Sequence, residues 1–110
     1  MIAFEYDEVT NLRQASGDSY VQFVNEGSLS LGLYVLPAGS VDTQLPHAED
    51  EVYYVIEGRA TITVGEEDRP VRPGSTVFVA AHVPHRFHSI EKDLTLLVFF
   101  APAETAGPGP

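Results

Sequence analysis

Residues 47–58, His-Ala-Glu-Asp-Glu-Val-Tyr-Tyr-Val-Ile-Glu-Gly, decide the fold of this chain. The stretch starts with an imidazole in an acidic turn and continues into a β-branched and aromatic run that ends at Gly58. Successive side chains of a strand point to opposite faces, so Glu51, Tyr53 and Val55 share one face. The pattern predicts a strand that begins beside two candidate ligands, His47 and Glu51.

A second histidine group lies further along the chain, at residues 82–88, His-Val-Pro-His-Arg-Phe-His. Strand alternation places His85 and Phe87 on one face. If that face and the Glu51 face point into the same interior, His47, Glu51 and His85 converge. Two imidazoles and one carboxylate leave coordination positions open and suit iron(II) and similar divalent ions.

Each of these residues also has a plainer interpretation. His47 can be a solvated histidine on an acidic loop, and Glu51 one member of a charged run. We interpret His82, in a turn, and His88, of opposite strand parity to His85, as structural. Tyr53 is a weak candidate for a catalytic hydroxyl near the metal, since aromatic side chains more often fill a barrel interior.

Composition limits the classes of partner. The 110 residues suit one domain, and the absence of cysteine excludes disulfides and thiolate ligands. Sixteen acidic and six basic residues give a formal charge of −10, which opposes binding to nucleic acid or to an anionic membrane. We therefore expect a small-molecule partner, no nucleic acid and no membrane.

The chain shows no apolar run of about 20 residues, the length of a membrane span. Its start, Met-Ile-Ala-Phe-Glu-Tyr-Asp-Glu, lacks the pattern of a secretory signal. These features predict a cytoplasmic protein.

About eight to ten short strands, separated by turn signals, predict an all-β antiparallel sandwich or barrel. Tight turns are expected at Gly58, at residues 91–93 and, as a type II turn, at Pro73-Gly74. Ile2, Phe4 and Tyr6 alternate like a short strand, on this barrel or on a neighbouring subunit, and residues 7–18 read as a loop with about one helical turn. We expect one domain over residues 1–100 and a disordered tail over residues 101–110.

The spacing resembles the two motifs of the cupin family. The first reads Gly, five residues, His-x-His, three or four residues, Glu, six residues, Gly; His47, Glu51 and Gly58 match its second histidine, glutamate and last glycine. The second reads Gly, five residues, Pro-x-Gly, two residues, His, three residues, Asn; Gly74 and His85 match its first glycine and its histidine. The resemblance implies a double-stranded β-helix of the jelly-roll type.

Several motif positions differ. Leu45 occupies the place of the first motif histidine. Ala80 and His82 replace the proline and glycine of the second motif, and Ser89 replaces the asparagine. One family ligand is therefore missing, and either Gln44, as a candidate fourth ligand, or water fills its place.

The resemblance implies that His47, Glu51 and His85 hold one divalent ion, which can be iron, manganese, nickel, copper or zinc. It favours a dioxygenase-like oxidoreductase acting on a small, partly apolar or enolisable substrate, with isomerase or lyase activity next. A non-catalytic ligand-binding or sensing module is the alternative, and a structural barrel with a vestigial site is a third. A homodimer is also expected by resemblance, with Leu94–Phe100 or the N-terminal apolar residues as the contact.

Overall fold

The computed structural model describes residues 1–43 and 45–104. Helix α1 spans Tyr6–Ser16. Six strands follow in the described part of the chain: β1 (Tyr20–Asn25), β2 (Ser30–Leu36), β3 (Asp50–Val64), β4 (Glu67–Val71), β5 (Thr76–Val79) and β6 (His85–Ala101).

All strand pairs are antiparallel, which confirms the predicted fold class. The strands pair in the order β1-β2-β6-β3-β4, and β5 pairs with β3. Among the described strands this hydrogen-bonded order does not close into a ring. The sheet is instead folded by its two long central strands.

Strands β3 and β6 pair from Asp50 opposite Ala101 to Val64 opposite His85, with register shifts between Val55 and Thr61. The predicted turns at Gly58 and at residues 91–93 are therefore wrong, because both strands run through these positions. Such irregularities bend a strand and increase its twist without ending its pairing. Glycine and charged residues mark these bends just as they mark turns.

Strand alternation sets the interior face of β3 as predicted. Glu51, Tyr53 and Val55 are each at most 1% exposed, whereas Asp50 and Tyr54 are exposed. Aliphatic and aromatic side chains from β2, β3, β5 and β6 complete the core, and its fully buried members include Tyr53, Val55, Phe87, Leu94, Leu96, Val98 and Phe100. The interior is thus mostly apolar, and Glu51 and His85 are among its few buried polar residues.

The loop between β2 and β3 is held by the buried carboxylate of Asp42. Its Oδ1 accepts a hydrogen bond from the Tyr34 hydroxyl at 3.0 Å, and its Oδ2 accepts one from the backbone N–H of Phe87 at 2.9 Å. The carboxylate thereby joins the loop to β2 and β6 just before the chain reaches His47. Tyr34 thus helps to anchor this loop.

The prediction of a short strand at Ile2, Phe4 and Tyr6, followed by a loop over residues 7–18, is wrong. Residues 6–16 form a helix, and Ile2 and Phe4 lie in no strand. The backbone N–H of Glu5 donates to Glu8 Oε1 at 3.1 Å, and Gly17 ends the helix in a left-handed conformation. No helix in the described residues is long and apolar enough to cross a bilayer.

The expected C-terminal tail is ordered over residues 101–104. Ala101 ends β6, and Ala103 is 4% exposed with its N–H donating to the carbonyl of Gly27 at 3.0 Å. Glu104 follows it back toward the interior. The rest of the predicted tail, residues 105–110, lies outside the described residues.

Candidate metal centre

His47, Glu51 and His85 each place one ligand atom within 4.8 Å of the others. His47 lies in the loop before β3, Glu51 near the start of β3, and His85 at the start of β6. In the sheet Glu51 pairs with Phe100 and His85 with Val64, at opposite ends of the same ladder. The two side chains therefore meet across the interior of the bent sheet, and not as cross-strand neighbours.

The His85 ring is held on both nitrogens. Its Nδ1 lies 2.9 Å from the carbonyl oxygen of Val83, which can only accept, so Nδ1 carries the hydrogen. Its Nε2 lies 3.0 Å from Glu51 Oε1 and 3.1 Å from the Tyr53 hydroxyl. The nitrogen that faces the cluster is thus the one whose lone pair is free in the neutral ring.

Burial on its own lowers the pKa of His85, because it disfavours the charged ring. The adjacent Glu51 carboxylate, the Val83 carbonyl and Asp42 act in the opposite direction, and the pKa is raised overall. The side chains of His85 and Glu51 are both 1% exposed, so the charge of Glu51 is poorly screened by water. The site attracts positive charge.

Three buried polar atoms of the cluster have no hydrogen-bond partner among the described residues: His47 Nε2, Glu51 Oε1 and Glu51 Oε2. Unpartnered buried polar atoms cost free energy and are uncommon in folded proteins. One divalent cation could bind His47 Nε2 and the Glu51 carboxylate together with the adjacent His85 Nε2. The two nitrogens and the carboxylate therefore fit such an ion, as the sequence predicts.

Further acidic groups surround the cluster. Glu49 is 5% exposed, and the Glu104 side chain is 6% exposed with Oε2 lying 3.4 Å from His47 Nδ1. Burial, followed by the charges of Glu49 and Glu51, raises the pKa of Glu104 to about 7. Sequence analysis missed Glu104, because a lone acid in a segment rich in alanine and proline carries no local signal of burial.

Two tyrosines border the site. Tyr53 is fully buried and contacts His85 through its hydroxyl, in agreement with the face that strand parity predicts. The Tyr20 hydroxyl is buried without a hydrogen-bond partner among residues 1–43 and 45–104. Burial raises the pKa of Tyr20, and the charges of Glu104 and Glu51 raise it further. The Tyr20 phenol is therefore neutral near neutral pH.

The other histidines stay outside the cluster. His82 is exposed, whereas His88 is half-buried and bonds Thr63 through Nε2 at 2.8 Å. Leu45, at the position of the missing family histidine, is 78% exposed. The candidate fourth ligand, Gln44, lies outside the described residues.

At two positions where this chain differs from the family motif, the backbone still has a positive φ. His82 stands where the family has glycine and has φ 69°, and Ser89 stands where the family has asparagine and has φ 51°. Glycine and asparagine adopt left-handed conformations more readily than other residues. At His82 the backbone N–H donates to the carbonyl of His47 at 2.6 Å, which compensates part of the strain and fixes the loop that carries the ligand.

A relative covers nearly the whole chain. The uncharacterized protein SCO3923 of Streptomyces coelicolor is 51% identical over 105 residues, which are 96% of this chain and all of that protein. It carries no assigned activity in its name.

Solved structures share the fold at lower identity. Salicylate 1,2-dioxygenase of Pseudoaminobacter salicylatoxidans aligns with a TM-score of 0.75 and 18% identity, over 89% of this chain and 32% of the enzyme. The lyase DddQ of Ruegeria pomeroyi DSS-3, which acts on DMSP, aligns with a TM-score of 0.69 and 24% identity, over 74% of this chain and 45% of that chain. This chain thus spans less than half of either enzyme. A family model described as a cupin domain matches residues 32–100. This chain belongs to the cupin family.

Proposed function

We propose that this protein is a small metal-dependent cupin enzyme of the dioxygenase type, acting on a small organic substrate in its interior. The observation that carries the proposal is the convergence of His47, Glu51 and His85 within 4.8 Å, with their facing atoms buried. Two histidines and one carboxylate with open positions are typical of iron(II) oxygenases. The fold likeness to a dioxygenase is compatible with this class, and isomerase or lyase activity is the next candidate.

The three residues would hold one divalent ion, namely iron, manganese, nickel, copper or zinc. When bound, the ion would polarise a substrate oxygen or activate dioxygen. The residues themselves supply two neutral nitrogens and one negative charge, and Val83 fixes the ring of His85 through Nδ1. The apolar core around them excludes bulk water.

The distribution of basic residues indicates how a substrate would bind. Arg13 is half-buried on α1, and the remaining arginines and the single lysine are exposed. Buried acids, in contrast, surround the cluster at Glu49, Glu51 and Glu104. Among residues 1–43 and 45–104 no arginine or lysine is fully buried, so a substrate anion would depend on the metal ion for a positive partner. This charge pattern favours a neutral or chelating substrate over one that carries several unpaired negative charges.

Tyr53 is the side chain we propose for proton transfer or substrate orientation, because its hydroxyl lies 3.1 Å from His85 Nε2. We expect Tyr53→Phe to retain the bound metal and the fold, since the ring still packs against Phe87. Turnover should fall by about 10²–10⁴-fold if the hydroxyl moves a proton. Metal content and steady-state kinetics measured on the same preparation check this, and unchanged turnover would remove Tyr53 from the mechanism.

Oxygen uptake tests the proposed reaction class. Protein reconstituted with iron(II) should consume dioxygen with at least one phenolic, enolisable or diketone substrate, and His85→Ala should not. A panel that stays flat across these substrates, with the metal confirmed in place, would count against the dioxygenase assignment. Isomerase or lyase products formed without oxygen uptake would assign the next class.

A ligand-binding role without turnover is the second candidate. The observation that favours it is Leu45, which replaces a family ligand and lies 78% exposed, away from the cluster. In this case a metabolite would raise the melting temperature by mass action and be recovered unchanged. Conversion of the stabilising compound during incubation would exclude this role.

We also propose a homodimer, formed through the outer face of the sheet. Leu31, Phe99, Val52 and Phe78 align in register across β2, β6, β3 and β5, and Phe78 is 61% exposed. A depression of about 410 Å³ lies on this face. Light scattering that gives the 12.0 kDa monomer mass would contradict the dimer.

The cytoplasmic location and the absence of a nucleic-acid partner stay predictions from composition and charge.

A further inference from the structure

Glu104 is held at the metal centre by its backbone. Its N–H donates to Ser30 Oγ at 3.0 Å, and the preceding N–H, of Ala103, donates to the carbonyl of Gly27 at 3.0 Å. Ser30 is fully buried at the start of β2. These two bonds fix the backbone where the chain leaves β6, and so they place Glu104 beside His47. The matched cupin region ends at residue 100, so the family comparison assigns no role to this residue.

The Glu104 carboxylate faces one nitrogen of His47. Its Oε2 lies 3.4 Å from His47 Nδ1, at ion-pair distance, and that oxygen has no hydrogen-bond partner in the described part of the chain. His47 Nε2 is buried and equally unpartnered there. When Glu104 is ionised its carboxylate can only accept, so the proton that the two groups share then lies on Nδ1.

We propose that Glu104 is a positioning residue of the metal centre: it accepts the Nδ1–H of His47 and thereby directs the Nε2 lone pair toward the ion. This inference rests on the proposed metal site. The Val83 carbonyl does the same for His85 at 2.9 Å, so each histidine ligand has an acceptor at its Nδ1. Such outer partners fix the tautomer and orientation of a ligating histidine. Glu104 itself is absent from the set of converging ligand atoms, which fits this role and not direct coordination.

The tautomer of His47 tests the inference without any metal. Long-range ¹H–¹⁵N correlation spectra of the metal-free protein should show His47 protonated on Nδ1. In Glu104→Ala the His47 signals should move toward the Nε2–H form or a mixture, whereas His85, held by Val83, should keep its pattern. His85 is thus an internal control in every spectrum. A His47 tautomer that does not change in Glu104→Ala overturns the proposal.

Metal affinity gives the second measurement. Glu104→Ala should weaken binding by about 10–100-fold, the usual effect of removing an outer partner of a ligating histidine. Glu104→Gln should recover most of this loss, because its amide oxygen still accepts from Nδ1–H. Glu66→Ala, at the exposed hairpin tip, controls for the loss of one negative charge and should bind metal like the unmodified protein.

The remaining outcomes are also decisive. Equal loss in Glu104→Gln and Glu104→Ala, with an unchanged His47 tautomer, would make the carboxylate a ligand and overturn the positioning role. If Glu66→Ala loses as much metal affinity, the effect would come from net charge alone, and the positioning role would again be overturned. If the unmodified protein takes up no metal, the proposed function fails, and the tautomer in the metal-free protein still decides the role of Glu104.

Discussion

Replacing His85 with alanine should remove bound metal from the protein. His85 supplies one of three converging ligand atoms, and its Nε2 lies 3.0 Å from Glu51 Oε1 in a site that is 1% exposed. With two ligands left, water would have to complete the coordination inside an apolar interior. Elemental analysis of untagged protein purified without chelator should therefore give near-stoichiometric metal for the unmodified chain and almost none for His85→Ala. His47→Ala should behave in the same way.

His88→Ala is the matched control, because it removes an imidazole from the same strand three residues further on. The His88 ring bonds Thr63 and Ser89 and lies outside the cluster, so its loss should leave metal content unchanged. Equal metal loss in both variants would show that the bound ion is held elsewhere. Metal that persists in both His85→Ala and His47→Ala would refute the site itself.

The loss of His85 also leaves Glu51 buried without the imidazole that forms an ion pair with it when protonated. Removing one partner of a buried pair typically costs about 3–5 kcal/mol. His85→Ala can therefore unfold as well as lose metal, and Glu51→Gln separates the two effects. Glutamine keeps the volume and removes the buried charge, so this variant should stay folded by circular dichroism while its metal content falls. A folded Glu51→Gln that retains full metal would exclude Glu51 as a ligand.

The metal-binding cluster could be predicted from residue spacing, because both strand alternation and the family motifs depend on the local order of residues along the chain. Glu51 and Tyr53 share a face two residues apart, and both are buried as parity requires. The same rule places His85 and Phe87 inward. It fails at Ser89, which is exposed with φ 51°, because a left-handed residue interrupts the alternation.

Other features depend on contacts that no local pattern carries. Glu104 reaches His47 only because its backbone bonds to Ser30, 74 residues earlier. The helix α1 was missed because its polar sequence buries one residue, Val9, and shows little apolar periodicity. The Glu5 and Gly17 caps were signals that the sequence did contain.

The clearest misprediction is the turn at Gly58, because β3 continues through this residue. Gly58 was expected to be a turn, yet it lies inside β3 with φ 100°. A glycine in a strand can mark a bend or a close approach of another backbone as well as a turn. Here the neighbour is β6 at Asp93 and Leu94, close to where the register shifts.

Gly58→Ala should strongly destabilise the fold. A Cβ at this position would lie 2.7 Å from Leu94 Cα and 2.9 Å from the carbonyl carbon of Asp93, and closer still to the Asp93 oxygen. These are backbone atoms, so no side-chain rotation relieves the overlap. The positive φ and the overpacking together should cost roughly 2–6 kcal/mol. Urea unfolding followed by circular dichroism measures the change in the free energy of unfolding.

Gly74→Ala distinguishes the two causes. Gly74 has φ 92°, close to that of Gly58, but an added Cβ would meet nothing within 4 Å. Its turn is closed by the Ser75 N–H, which donates to the carbonyl of Arg72 at 2.9 Å. Gly74→Ala should therefore cost only the backbone strain, about 1–2 kcal/mol. Equal losses in the two variants would mean that conformation alone explains Gly58. A larger loss at Gly58 would show that the close approach of the β6 backbone at Asp93 and Leu94 also requires a glycine here.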